Sequence, residues 1–370
     1  MAQIKGLSAQ DLPPGPIRDC YNKYSAIDKV DNDLGVIDLQ QLDPDQLPRG
    51  VIIAQHLSSQ ELRLAFDDFI QGCHALAEED APMTENIPVY SHNSISGTGA
   101  RTMPDLFPGL LMIPALFPTT VQAELLSRMF HRDLSSPEYQ TNIHLHYDVT
   151  YPEDEETHAP KSFFGDDSTR IFESKDPQLH EPLDVQSFLE KRLRWIALGI
   201  QHEGTANMVS GEIPSIPGDI AKLMSAIFPD RSAHAAIVDI HSTRDTQPIH
   251  LHRDVGKDSD TGLMSVSFGC DGLFLVSHDD GNGCEVLRLR SGDTVYMNGV
   301  SRFAWHGVPK ILPSSCPAWL ANWPSLGENF PGMPPGPYQM WEGWMSSKRI
   351  TLNVQQRPTS HIPKDSAKNV

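Results

Sequence analysis

The sequence predicts an α+β protein, with helices in its first two thirds and an all-β sandwich or barrel from about residue 231 onward. Two observations predict the β part. Met264, Val266 and Phe268 alternate with Ser265 and Ser267, and Val286, Arg288 and Arg290 alternate with Leu287 and Leu289, the period-two pattern of strands. Turn formers recur between them at close spacing: Gly269, Gly281-Asn282-Gly283 and Ser291-Gly292-Asp293. A third observation predicts helices, since Val121, Leu125, Leu126, Met129 and Phe130 recur three and four apart.

Taken in order, residues 1–105 read as an N-terminal extension with one helix, 59–73, among loops rich in Pro, Asp and Gln. Residues 106–230 read as a mixed α/β region over a substrate site. There an apolar strand near Leu110 leads into Thr119-Thr120-Val121-Gln122, a capping-box pattern. Helices are expected over 184–198 and 219–228, the second striped by Ile220, Leu223, Met224 and Ile227. Residues 231–357 hold the strands, including 264–269, 294–297, 303–308 and 349–355. Eight prolines from Pro309 to Pro337 mark an insertion, 309–347, that reads as a cover or lid. Residues 358–370 form a tail.

Charge narrows the function. Lys and Arg number 29 against 48 Asp and Glu, a net −19, and residues 148–190 carry 12 acids and 3 bases. Phosphates need basic partners, so the balance disfavours avid nucleic-acid binding. The only tight basic cluster is Lys191, Arg192 and Arg194. No apolar run reaches the length of a membrane span, and MAQIKGLSAQDLPPGP lacks the apolar core of a secretion signal. Cys20, Cys73, Cys270, Cys284 and Cys316 are too scattered for a disulfide frame or a zinc site. An intracellular, reducing compartment follows: the cytoplasm, or the nucleus for a nucleic-acid substrate.

Among 16 histidines, one constellation carries chemistry. In a strand, His252 and Asp254 of His252-Arg253-Asp254 face the same way and can share a metal, with His306 arriving from another strand of the same region. Two imidazoles and a carboxylate leave open positions on an ion, as non-haem Fe(II) requires. His250 competes with His252 for that role, and His144-Leu145-His146 has strand spacing but no third ligand in pattern. In the last strand, Ile350, Leu352 and Val354 face one way and Arg349, Thr351, Asn353 and Gln355 the other. An arginine pointing into a barrel needs an anion, and a dicarboxylate supplies one with bidentate geometry; the alternative is an exposed edge with Arg349 in water.

The ordered set of His252-Arg253-Asp254, strand 264–269, Gly292-Asp293, Ser301-Arg302-Phe303-Ala304-Trp305-His306-Gly307 and Arg349-Ile350-Thr351-Leu352-Asn353-Val354 resembles the AlkB family of Fe(II)/2-oxoglutarate-dependent dioxygenases. The nearest branch is the fungal one of the type that includes eukaryotic AlkB homolog one, and the likeness runs over about two thirds of the chain. It implies a double-stranded β-helix (jelly-roll, cupin-like) core with flanking helices. It implies His252, Asp254 and His306 as ligands of Fe(2+), Arg349 as partner of the distal carboxylate of 2-oxoglutarate, and O2 as oxidant, with release of succinate and CO2.

Departures from the family mark the walls of the site. The family's Asn-x-Tyr reads Asp239-Ile240-His241 here, its second arginine on the last strand is Gln355, and Gln201-His202-Glu203-Gly204 lacks base-clasping aromatics. His241 and Gln355 are therefore expected at the cosubstrate and Asp239 at the substrate, where it would take an ammonium group, unless it faces outward or pairs with Arg244. The sequence thus favours oxidation of a C–H bond in a small, amino-acid-like molecule of fungal specialised metabolism. The alternative is oxidative demethylation of alkylated bases in DNA or RNA, and a third reading is a non-catalytic binding protein on the same scaffold.

Overall fold

The computed structural model describes residues 7–358 except 9, 28–29, 31–34, 49, 72–85, 93–108, 200–213, 245–248, 256–260, 278–283 and 326–337. The double-stranded β-helix is present as two facing antiparallel sheets. The larger has nine strands in the order β2(Val51–Leu57), β3(Ile87–His92), β4(Leu110–Ile113), β15(Thr294–Met297), β12(Gly262–Gly269), β17(Lys348–Pro358), β10(Arg231–Ser242), β9(Trp195–Leu198), β5(Gln140–Thr141). The smaller runs β1(Val36–Asp38), β14(Cys284–Leu289), β13(Gly272–Ser277), β16(His306–Ile311), β11(Ile249–His252), with β1 added in parallel. A third small sheet joins β6(Tyr147–Asp148), β7(Ile171–Ser174) and β8(Leu183–Asp184).

Alternation along the strands divides the large sheet into two faces. Ile350, Leu352 and Val354 of β17, Val238 and Ile240 of β10, and Met264, Val266 and Phe268 of β12 pack outward into one apolar core. That core is covered by α2(Ser59–Ile70), α3(Thr119–Ser127) and α5(Gly218–Ile227), whose Ile220, Leu223, Met224 and Ile227 form the buried stripe read from the sequence. The other face looks toward the small sheet, where Phe274, Val276, Leu287 and Leu289 meet Met112, Val295 and Met297. Among the described residues, no helix is long and apolar enough to cross a membrane.

Several local expectations are corrected. The 1–105 segment is more than one helix among loops: α1(Gly15–Ser25), β1, β2 and β3 extend and cover both sheets. The helix expected over 184–198 is a single turn, α4(Val185–Ser187), then a wide turn at Phe188–Arg192, then strand β9. The backbone of β9 finds its hydrogen bonds beside β10, with Trp195 opposite Asp239, and tertiary pairing outweighs helical spacing. The N-cap of α3 is Pro118, which has no side-chain cap hydrogen bond, and Gln122 donates to the Phe117 carbonyl and accepts from the Ser291 hydroxyl. The described part of the 309–347 insertion packs inward, with Trp323 and Trp344 edge-on to Phe130 and Phe164. Cys20 and Cys284 form a disulfide across 264 residues, a pairing that sequence spacing does not reveal, so cysteine usage no longer argues for a reducing compartment. Gln201 to Gly204, the Gly281-Asn282-Gly283 turn, the 358–370 tail beyond Pro358 and Cys73 lie outside the described residues.

Candidate active site

The two sheets enclose a pocket of about 530 Å3. Its large-sheet wall carries Ile237, Asp239 and His241 from β10, Arg349, Thr351, Asn353 and Gln355 from β17, and Ser265 and Ser267 from β12. These are the residues that alternate with the apolar core positions. The small-sheet wall carries His252, Phe274, His306 and Val308.

His252, Asp254 and His306 converge, each offering one ligand atom within 4.8 Å of the others. β11 is an edge strand, and its register against β16 slips between Ile249 and His252, which turns both residues into the pocket. Gly307 permits the close approach, since a Cβ there would lie 2.9 Å from the Ile249 carbonyl oxygen. His250 stays out of the pocket lining; its carbonyl instead meets His252 Nδ1 at 2.9 Å. The Ala304 carbonyl meets His306 Nδ1 at 3.0 Å in the same way. Both rings are thus held by Nδ1, leaving each Nε2 toward Asp254, at 3.7 Å in both cases. That is how proteins orient imidazoles for a metal.

Charge in the triad suits a cation. Burial pushes His306 down to about 4, so the ring is neutral and its lone pair available. Burial alone would raise Asp254, but His306, Arg302 and His252 outweigh it and hold the carboxyl at about 2, ionised at any physiological pH. Arg302 donates to Asp254 Oδ2 at 2.7 Å. It reaches there because residues 299–303, of which only Phe303 was expected in a strand, form a 3-10 turn closed by the reciprocal Asn298–Ser301 box. The Arg302 contact was missed in the sequence, although the residue lies in the quoted 301–307 motif. Arg253, between the two ligands, turns away onto the Trp305 ring at 4.5 Å.

Arg349 is buried, 1% exposed, at the wall of the pocket. Its Nη1 donates to the carbonyls of Cys270 (3.0 Å) and Leu289 (3.2 Å), and Nη2 donates to Ser267 Oγ (2.9 Å). Nε has no partner among the described residues. Burial lowers its pKa to about 10, so it stays cationic at neutral pH. Gly272 leaves the space for it, since a Cβ there would lie 2.5 Å from Nε. A buried guanidinium held by neutral oxygens at a pocket wall has the chemistry to receive a carboxylate.

The remaining expected residues also line the pocket, but at different depths. His241 sits directly opposite Arg349 in the β10–β17 register. Gln355 is six positions along β17, roughly 20 Å at strand spacing, beside Leu263. Asp239 neither faces outward nor pairs with Arg244: its Oδ2 accepts from Asn353 Nδ2 at 2.8 Å. Burial raises Asp239 to about 6, against the Asn353 hydrogen bond and the nearby His252. Sequence reasoning looked for a base-clasping aromatic after β9 and overlooked Trp195 at its start, which lines the pocket with Leu145. His144 makes no metal site; its ring is held by Thr141 and by the Tyr151 hydroxyl at 2.8 Å.

Residues 109–354 match the model of the 2OG-Fe(II) oxygenase superfamily. The chain is 37% identical over 374 residues to the N6-methyladenosine RNA demethylase ALKB1 of Pyricularia oryzae, covering 95% of this chain and 97% of that protein. It is 42% identical over 230 residues to the N6-methyladenosine RNA demethylase ALKBH of Cryphonectria parasitica (58% and 98% covered), and 30% identical over 262 residues to the tRNA demethylase abh1 of Schizosaccharomyces pombe (68% and 80%). The solved structure of OsALKBH1 aligns over 67% of this chain and 97% of that chain, at 15% identity and a TM-score of 0.38. These relatives overturn the expectation of a small amino-acid-like substrate, and nothing among them supports specialised metabolism. The expectation failed because it took total charge for local charge and an inward carboxylate for an ammonium receptor, whereas Asp239 is already bonded to Asn353. The chain belongs to the 2OG-Fe(II) oxygenase superfamily and is an Fe(II)- and 2-oxoglutarate-dependent dioxygenase that uses O2.

Proposed function

We propose that this protein is an oxidative N-demethylase of methylated nucleobases, with N6-methyladenine in RNA as its substrate. One observation carries the reading: a two-histidine, one-carboxylate triad, a buried guanidinium and an aromatic wall share a single pocket. The names of the relatives that span most of this chain support it.

In this reading His252 and His306 would hold iron through Nε2 and Asp254 through its carboxylate, with Arg302 steadying Asp254. Bound iron with 2-oxoglutarate and O2 supplies an oxidant for the methyl C–H bond, and the hydroxylated methyl leaves as formaldehyde. Arg349 takes the distal carboxylate of 2-oxoglutarate, with Ser267 and His241 beside it and Gln355 presenting an amide at the far end of the channel. Trp195 offers a face for stacking an unpaired base, an interaction worth about 1–3 kcal/mol. Asp239 faces Trp195 across the strand pair, and its second oxygen can accept the one N–H that remains on a methylated exocyclic amine. The walls exclude water and aim the methyl at the metal. An intracellular compartment containing RNA belongs to the same proposal.

The test is mass spectrometry of an RNA oligonucleotide carrying one N6-methyladenosine, incubated with the protein, Fe(II) and 2-oxoglutarate. Conversion to adenosine is expected, and none with Asp254→Ala. Retention of the methyl group by a protein that turns over 2-oxoglutarate would overturn the substrate.

A further inference from the structure

A second cavity, of about 780 Å3, lies beside the pocket. Four chain segments line both: Leu145, Trp195, His241 and Arg349 face the pocket, and Tyr147, Arg194, Ser242 and Lys348 face this groove. In β10 and β17 the paired residues are consecutive in sequence and therefore point to opposite sides, and Arg194 immediately precedes Trp195, the first residue of β9.

The groove reverses the charge balance of the chain. Lys191, Arg192, Arg194, Arg244 and Lys348 line it against Glu181, Glu190 and Glu342, whereas the whole chain has 29 bases against 48 acids. Lys191, Arg192 and Arg244 are exposed; Lys348 is buried, over the Trp344 ring at 5.3 Å. The basic run is held by one side chain. Asn142 Nδ2 donates to the Arg192 carbonyl at 2.8 Å, and its Oδ1 accepts from the backbone N–H of Arg194 at 2.8 Å and of Trp195 at 3.3 Å. The segment that presents cations to the groove is thus the segment that presents Trp195 to the pocket. Leu179 and Met340, 74% and 53% exposed, add apolar surface to the groove lining.

We infer that this groove binds the sugar–phosphate backbone of the single-stranded RNA whose modified base enters the pocket, an inference that rests on the demethylase reading. Arginine and lysine neutralise phosphates, and the register between Arg194 and Trp195 ties backbone contact to base insertion. Single-stranded RNA fits because a base must be unpaired to reach an enclosed site.

The experiment is fluorescence anisotropy of a labelled single-stranded RNA with the full chain and with the Lys191→Ala, Arg192→Ala, Arg244→Ala triple variant. Losing three phosphate contacts should weaken binding at least about tenfold at physiological salt and flatten the log–log salt slope by about two. The KM for the same RNA carrying N6-methyladenosine should rise in proportion, with kcat unchanged. A second variant, Arg63→Ala with Lys222→Ala, removes exposed cations elsewhere and should leave affinity nearly unchanged. Equal loss in both variants, no loss in the triple variant, no RNA binding by the parent, or tighter groove-dependent binding of polyglutamate than of RNA would each overturn the groove. Groove-dependent RNA binding without demethylation would leave the groove standing and overturn the demethylase reading instead.

Discussion

The two faces of the large sheet are built from the same strands and do opposite work. On one face, Ile350, Leu352 and Val354 pack with Val238, Ile240 and Val266 against helices, and every one of these side chains is at most 1% exposed. On the other, the alternating neighbours Arg349, Thr351, Asn353, Asp239 and His241 line a pocket. From Arg349 to Val354, β17 therefore carries stability at even positions and chemistry at odd ones, and a single step along it changes which property a substitution disturbs. The polar face is tolerable because its groups have partners: Arg349 has three oxygens and Asp239 has Asn353.

The largest expected effect falls on the pocket side alone. Asp254→Ala should abolish demethylation and remove detectable Mn(II) binding by calorimetry, with the melting temperature nearly intact. A loss of fold instead would show that the triad is structural. Next, on the opposite face, Leu352→Ala should cost about 2–5 kcal/mol of stability in urea unfolding, the usual range for a fully buried leucine. Its KM for 2-oxoglutarate should stay near the parent's below the transition; a large KM change would break the separation of the faces.

Arg349→Gln should raise the 2-oxoglutarate requirement tenfold to hundredfold, the worth of about 1.5–3 kcal/mol for hydrogen bonds to a charged group, while KM for RNA changes little. Gly272→Ala should move the same constant in the same direction, because its methyl would enter the space of Arg349 Nε. The smallest effect tests an element outside both faces. The Tyr21 hydroxyl of α1 donates to the Ile249 carbonyl at 3.0 Å, on the edge strand that carries His252. Tyr21→Phe should cost about 0.5–1.5 kcal/mol in unfolding.

Much of this division was legible in the sequence, because period-two alternation survives folding. The opposite facing of Ile350 and Arg349 needs nothing but the geometry of a strand. The His252, Asp254 and His306 cluster was legible from type and order, although the register slip that aims His252 was not. Other features depend on distant partners. Trp195 looked helical because its sheet neighbour, Asp239, is 44 residues away in the chain, and Cys20 meets Cys284 only because α1 packs on the small sheet. The substrate was misread for a related reason: a net charge of −19 says nothing about where five cations gather.

The central claim is that the pocket face oxidises an N-methyl group on RNA. The most direct measurement is formaldehyde released per succinate formed, with Fe(II), 2-oxoglutarate and an RNA oligonucleotide bearing N6-methyladenosine. The account predicts equal amounts of the two products, both dependent on the methylated base. Succinate formed at the same rate with and without that base, and no formaldehyde, would contradict it.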